Sequence, residues 1–161
     1  MNLQTAEYRH RHLRQCIDLM GDTWNFNGLF PGIRRENLVN ELFFREAVLG
    51  ANYSELVVDE GGAVHGYLFG RIRKAEGKRA VPFFRRIQTY LWALGGFIAG
   101  HFGPRLQALS RVRELLTMTD TLDARRRPED AYVCLFLVAS SLRGMGWGKR
   151  QIGRASCRER V

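Results

Sequence analysis

The chain of 161 residues carries 25 Lys+Arg against 16 Asp+Glu, a formal charge of +9, and 45% of its residues are hydrophobic. That length predicts one domain, and the apolar fraction is enough for a core, which excludes a disordered polyelectrolyte. The excess of cations calls for an anionic partner: nucleic acid, a membrane surface or a phosphorylated ligand.

Residues Ile152 to Val161 read IGRASCRERV, arginine-rich and without apolar periodicity. Back-translated, the run resembles the reverse strand of a widely used sequencing adapter read in frame, so residues 152–161 are expected to be a non-native appendage and are set apart from the fold prediction. Without Arg154, Arg158, Arg160 and Glu159 the charge of the rest is +7, and the natural gene is expected to continue past Arg150. Cys157 lies in that run, which leaves Cys16 and Cys134 as predicted buried, reduced thiols. The N-terminal MNLQTAEYRHRH has a charge cluster but no apolar core, so no signal peptide is expected there. The longest apolar run, Tyr90 to Phe102, falls short of the roughly 20 residues that span a bilayer. The reducing cytoplasm is the expected compartment.

In chain order, Leu3 to Arg9 suits a short first strand, and Leu13, Ile17 and Met20 mark a helix over Arg11 to Met20. Asp22 to Gly32 reads as a loop. A second helix is predicted from Glu36 to Leu49, with Leu38, Val39, Leu42, Phe43 and Ala47 on one apolar stripe. A hairpin follows: Ser54 to Val58, a turn at Asp59-Glu60-Gly61-Gly62, and Ala63 to Ile72, where Gly66 and Gly70 suggest a bulge or close backbone approach. Lys74 to Pro128 reads as a helical insertion. Apolar residues at 83, 84, 87, 90, 91, 94, 97 and 98 keep a helical period, and Pro104 opens a second stripe through Leu106, Leu109, Val112 and Leu116. Such stripes are usually core. The run Asp130 to Val138 is nearly all apolar and predicts a central strand buried on both faces.

Directly behind it comes Ala139-Ser-Ser-Leu-Arg143-Gly144-Met145-Gly146-Trp147-Gly148-Lys149-Arg150. Glycines at alternate positions let the backbone approach a ligand and aim its N–H groups at it. A helix starting near Gly146 would add its unpaired N–H groups and dipole, the arrangement that binds phosphate, with Lys149 and Arg150 beside it. The spacing is neither that of a P-loop nor that of a dinucleotide-binding fingerprint.

The order helix, helix, hairpin, apolar strand and V-A-S-S-L-R-G-M-G-W-G resembles the GNAT superfamily of acyl-CoA N-acyltransferases. Val138, Arg143, Gly144, Gly146 and Gly148 occupy the signature positions, with Ser140 where the family often has proline. The resemblance implies a mixed, mostly antiparallel α/β (α+β) sheet flanked by helices, spanning residues 1–151, with the insertion (about 74–128) between strands 3 and 4 and the C-terminal strands missing. It implies acetyl-CoA as co-substrate, with Leu137 and Val138 pairing with pantetheine and Arg143 to Lys149, including Met145 and Trp147, around the diphosphate. The reaction implied is direct attack of an amine on the thioester in a ternary complex, with acceptor walls from the first two helices and the insertion. Candidates for the base are Glu129, Asp130 and Glu41, and His65 is placed to line the acceptor cleft. The family's thiolate-protonating tyrosine has no counterpart before the adapter-like run, so this chain is expected to be an inactive or weak fragment.

Two other readings use the charge differently. A nucleic-acid-binding module would rely on Arg125 to Arg127, Arg85, Arg86 and Arg9-His10-Arg11-His12, but no helix-turn-helix, zinc or RNA-recognition pattern accompanies them. A membrane-surface protein would be built around residues 83–102. No transmembrane segment, metal site or nucleic-acid partner is expected, and the insertion is the candidate face for a homodimer.

Overall fold

The computed structural model describes residues 2–24, 32–35, 37–71, 83–110 and 131–160. Most of the 22–32 loop, both ends of the insertion, Glu129 and Asp130 lie outside the described residues. The fold is mixed α+β, with a four-stranded sheet in the order β1 (Leu3–Ala6), β2 (Tyr53–Asp59), β3 (Val64–Arg71), β4 (Tyr132–Val138), antiparallel throughout. Between β1 and β2 stand a 3-10 turn (His10–His12), α1 (Leu13–Thr23) and α2 (Leu38–Gly50). Helix α3 (Phe83–Ile98) and a helical stretch over 105–110 separate β3 from β4. A second 3-10 turn (Ser140–Leu142) leads from β4 into α4 (Trp147–Arg160).

The hairpin forms where its sequence places it. Gly62 takes a positive φ of 81°, and the Asp59 side chain accepts the Ala63 N–H at 2.9 Å, closing the turn. The register shifts at Val57/Val58 and at Phe69/Gly70, near the two strand glycines.

Strand alternation gives the sheet two different faces. Leu56, Val58, Tyr67, Phe69, Leu135 and Leu137 join Cys16, Ile17 and Met20 of α1 and Phe44 of α2 in the main core. Phe44 lies edge-on to Tyr67 and Phe69, with ring centroids 5.6 and 5.2 Å apart, and Tyr8 packs on both phenylalanines. On the opposite face Tyr53, Leu68 and Phe136 pack with Ala155 of α4, and Gln151 is fully buried there. The adapter-like run therefore continues α4, and Ala155 within it covers the sheet.

Two expectations change. Strand β4 is not central: it lies at the edge of the described sheet, with Leu135 and Leu137 buried and Val133 exposed. Its apolar run is long because one face meets the main core while Phe136, on the other, meets α4. The α3 stripe is not core either, since Phe84, Ile87, Leu91, Leu94 and Ile98 are all exposed. The helix docks instead through Trp92 and Phe97 against Leu38, Val39 and Phe102. Apolar periodicity locates a stripe but does not say which of two helix faces the rest of the chain will cover.

Burial pushes the Cys16 thiol up to about 12 and raises the Tyr67 phenol, with Cys16 adding to the effect on Tyr67. Among the described residues the buried Tyr67 hydroxyl has no hydrogen-bond partner. Replacing it is therefore expected to relieve a cost of about 1 kcal/mol: Tyr67→Phe should unfold at higher urea concentration than the parent. Phe44→Ala, which empties the centre of the aromatic group, should lose about 3–5 kcal/mol in the same measurement.

Candidate functional site

The 3-10 turn after β4 is held by its own backbone. Leu142 N–H donates to Ala139 C=O at 3.0 Å, Arg143 N–H to Ser140 C=O at 3.2 Å, and Met145 N–H to Leu142 C=O at 3.2 Å. Buried Leu142 pins this turn to the body of the domain. Gly144 and Gly146 then take φ values of 80° and 77°, a left-handed region that a side chain would strain. Among the described residues nothing approaches within 4 Å of where a Cβ on either would lie, so it is backbone conformation that favours glycine at these two positions.

Gly148 is glycine for another reason. A Cβ there would lie 3.0 Å from Phe136 Cζ, so its absence lets α4 sit directly on β4. The expectation that all three glycines serve a ligand thus divides: two shape the turn, and the third permits helix packing.

Helix α4 begins with the bond from Arg150 N–H to Gly146 C=O, 3.0 Å long. The N–H groups of Trp147, Gly148 and Lys149 precede the first carbonyl the helix can offer them, and the positive end of the helix dipole lies there. The Arg150 guanidinium stands 5.3 Å over the Trp147 ring, while Arg143 and Lys149 are exposed beside the turn. Backbone donors and three cations therefore share one short stretch of chain, an arrangement suited to an anion.

The edge of β4 leads into this turn. Ala139 N–H donates to His65 C=O at 2.8 Å, and the register sets Leu137 opposite Tyr67 and Val138 opposite Gly66. Antiparallel pairs alternate between bonding inward and pointing away. Leu137 therefore spends its backbone groups on Tyr67, and the outward N–H and C=O belong to Val138 and Phe136. Phe136 was not singled out in the sequence, because the face of a backbone group follows from pairing register and not from residue type.

Of the remaining expected site residues, Glu41 and His65 are engaged elsewhere, and Glu129 and Asp130 lie outside the described residues. Glu41 accepts both Nε and Nη2 of Arg45, at 3.0 and 2.7 Å, one helical turn away on α2. His65 Nε2 donates to Asp59 Oδ2 at 3.0 Å, which braces the hairpin whose strand anchors Ala139. Of the N-terminal basic cluster, His12 is buried; burial, then Arg11 and Arg9, lower its pKa, and its Nδ1 accepts the Arg9 N–H.

One buried polar group was missed. Glu55 on β2 accepts a bidentate pair from Arg154, with Nη2 at 2.8 Å and Nε at 3.1 Å, and the Tyr53 hydroxyl at 2.9 Å. The Gln151 amide adds a 3.4 Å contact to the Glu55 carbonyl. The signal available was a lone carboxylate inside a β-branched strand, which needs a partner when buried.

A cleft of about 1160 Å³ opens at the other end of the sheet, where β1 ends and β2 begins. Tyr8, Arg9, His10, Val48, Asn52 and Thr89 are among its walls, so it lies between the segment after β1, α2 and α3.

No family model matches the chain, and no curated protein matches it.

Asp59 supplies a pH test of the brace beside the turn. The hydrogen bond from His65, then that from Ala63 N–H, holds its carboxyl below the usual 3.8. A depressed carboxylate pKa gives stability that is present above the unfolded value and lost as pH falls through the folded one. Urea midpoints measured between about pH 6 and pH 3 should fall less steeply for Asp59→Asn than for the parent.

Proposed function

We propose that this domain binds an acyl-CoA and belongs, by its chemistry, with the N-acyltransferases. The observation that carries the reading is the junction of β4 and α4: an outward strand edge at Phe136 and Val138 running into a left-handed glycine turn and the first N–H groups of a helix. A pantetheine arm presents amides able to pair with such an edge. The diphosphate beyond it requires the cationic, donor-rich turn of Arg143, Gly144, Met145, Gly146, Trp147, Gly148 and Lys149.

In this reading the chain holds acetyl-CoA with its thioester along β4. An acceptor amine, after losing its ammonium proton, attacks the carbonyl carbon; the C–N bond forms, negative charge collects on oxygen, and the C–S bond then breaks to release a thiolate that takes up a proton. An outward N–H of the β4 edge that the pantetheine amides leave free would supply the donor that oxyanion needs. The cleft between the segment after β1, α2 and α3 opens at the other end of the sheet from Val138, with no β4 residue among its described walls, so no acceptor wall is assigned to it. Neither the base nor the acid is assigned: Glu41 is committed to Arg45 and His65 to Asp59.

The test is calorimetric titration of acetyl-CoA into the full chain. Binding is expected, with affinity reduced at least about tenfold in Gly146→Glu, which strains the turn and adds a like charge. Gly148→Ala, which strains no positive φ and presses only on Phe136 Cζ 3.0 Å away, should instead leave the turn's conformation in place. Absence of any acetyl-CoA heat in the folded parent would overturn the reading, as would equal binding by Gly146→Glu.

A further inference from the structure

Strand β1 stops short of the end of β2. Its last pair sets Ala6 opposite Leu56, whereas β2 begins at Tyr53, so Tyr53, Ser54 and Glu55 run on past it. Two hydrogen bonds elsewhere in the sheet fix which way their backbone groups point: Asp59 N–H donates to Ala63 C=O at 3.1 Å, and Ala139 N–H to His65 C=O at 2.8 Å. Alternation along β2 from Asp59, and across β3 from His65, agree in turning Glu55 and Val57 toward β3, and Ser54 and Leu56 toward the β1 side. Leu56 meets Ala6 there, but among the described strand pairs nothing is set opposite Ser54 on that side.

The cleft of about 1160 Å³ opens beside this overhang, with Ser54 in its wall. Its other walls include the rings of Tyr8, Phe44 and Phe69 and the neutral polar side chains of Asn52, Gln88 and Thr89, the last only 5% exposed. Charge on the walls is largely matched within the protein: Glu55 takes the Arg154 fork, Arg45 is bound to Glu41, and Glu7 and Arg9 on one segment are of opposite sign. That balance favours an ion of neither sign. A strand edge, neutral amides, a hydroxyl and aromatic rings instead complement the amides and side chains of a peptide. The volume exceeds the roughly 300–1,000 Å³ of small-molecule pockets, which leaves room for several residues of extended chain.

We propose that this cleft binds an extended, uncharged peptide segment that pairs its main chain with Ser54 in the lane that β1 leaves at Ala6. The Ser54 N–H donates to a peptide carbonyl, and the Ser54 carbonyl accepts a peptide N–H. Ser54 and Phe69 are register partners, so a peptide side chain opposite Ser54 lies on the sheet face that carries the Phe69 and Tyr8 rings, which favours an apolar residue there. This inference rests on strand register and is independent of the acyl-CoA reading, whose strand edge belongs to β4 on the other side of β3.

Amide NMR of the full chain, titrated with the capped tripeptide acetyl-Ala-Leu-Ala-amide, tests it. The Ser54 and Thr89 amide resonances are expected to move, with half-saturation at about 1 mM or below. The same peptide methylated on the leucine nitrogen, which lacks the N–H that Ser54 C=O would accept, should bind at least about tenfold more weakly. Ser54→Pro removes an N–H that points away from β3, so it should keep the circular dichroism spectrum and weaken the peptide by a similar factor. The methylated peptide needs no variant and keeps the test decisive if Ser54→Pro does not fold. Absence of any shift up to about 10 mM peptide, equal binding of the methylated peptide, or shifts centred on Gly144 to Lys149 would overturn the proposal. So would displacement of the peptide by acetyl-CoA, whereas failure of the peptide alone leaves the acetyl-CoA titration to be judged separately.

Discussion

The contact between Phe136 and Gly148 ties together everything that makes the β4–α4 junction a site. With no Cβ at Gly148, the helix rests on the phenyl ring, so the first turn of α4 begins directly over the end of β4. The intervening residues must then double back within a short span. The 3-10 turn at Ser140–Leu142 and the left-handed Gly144 and Gly146 provide that path. The outward strand edge, the turn and the helix start are consequences of one close approach.

The far end of α4 is fixed by different chemistry. The Glu55 carboxylate would be costly on a covered sheet face without a counter-charge; Arg154 provides one, and the Tyr53 hydroxyl donates a further hydrogen bond. Arg154 is 43% exposed, so solvent screens the pair and limits its contribution to about 1 kcal/mol. Its value is geometric, because a bidentate fork holds orientation as well as distance. Apolar contact at one end and a charged fork near the other together set the direction in which the α4 dipole points.

On the opposite face the sheet is held by the aromatic group of Phe44, Tyr67 and Phe69. Its rings meet edge-on, and its Tyr67 hydroxyl has no hydrogen-bond partner among the described residues. Helix α3 lies outside this core. Its docking face is small and specific, through Trp92 and Phe97, and its larger apolar stripe faces outward. The domain thus has two surfaces of separate character, a cationic glycine turn and the exposed apolar stripe of α3, neither of which contributes to the main core.

Much of this was legible in the sequence by itself. Period-3.6 stripes placed α1, α2 and α3, a glycine turn between two strand-like arms placed the β2–β3 hairpin, and an apolar run placed β4, each within a few residues, because helix period and turn conformation follow from backbone geometry that every residue shares. The glycine turn was equally visible, since positive φ excludes most other residues. Tertiary structure decided what local pattern cannot encode: that β4 lies at the edge of the described sheet, that Val138 and Phe136 rather than Leu137 face outward, that Gly148 serves packing, and that Glu55 meets Arg154 from 99 positions away. Each depends on which surface a distant segment brings into contact, and residue spacing carries the shape of an element but not the identity of its neighbour.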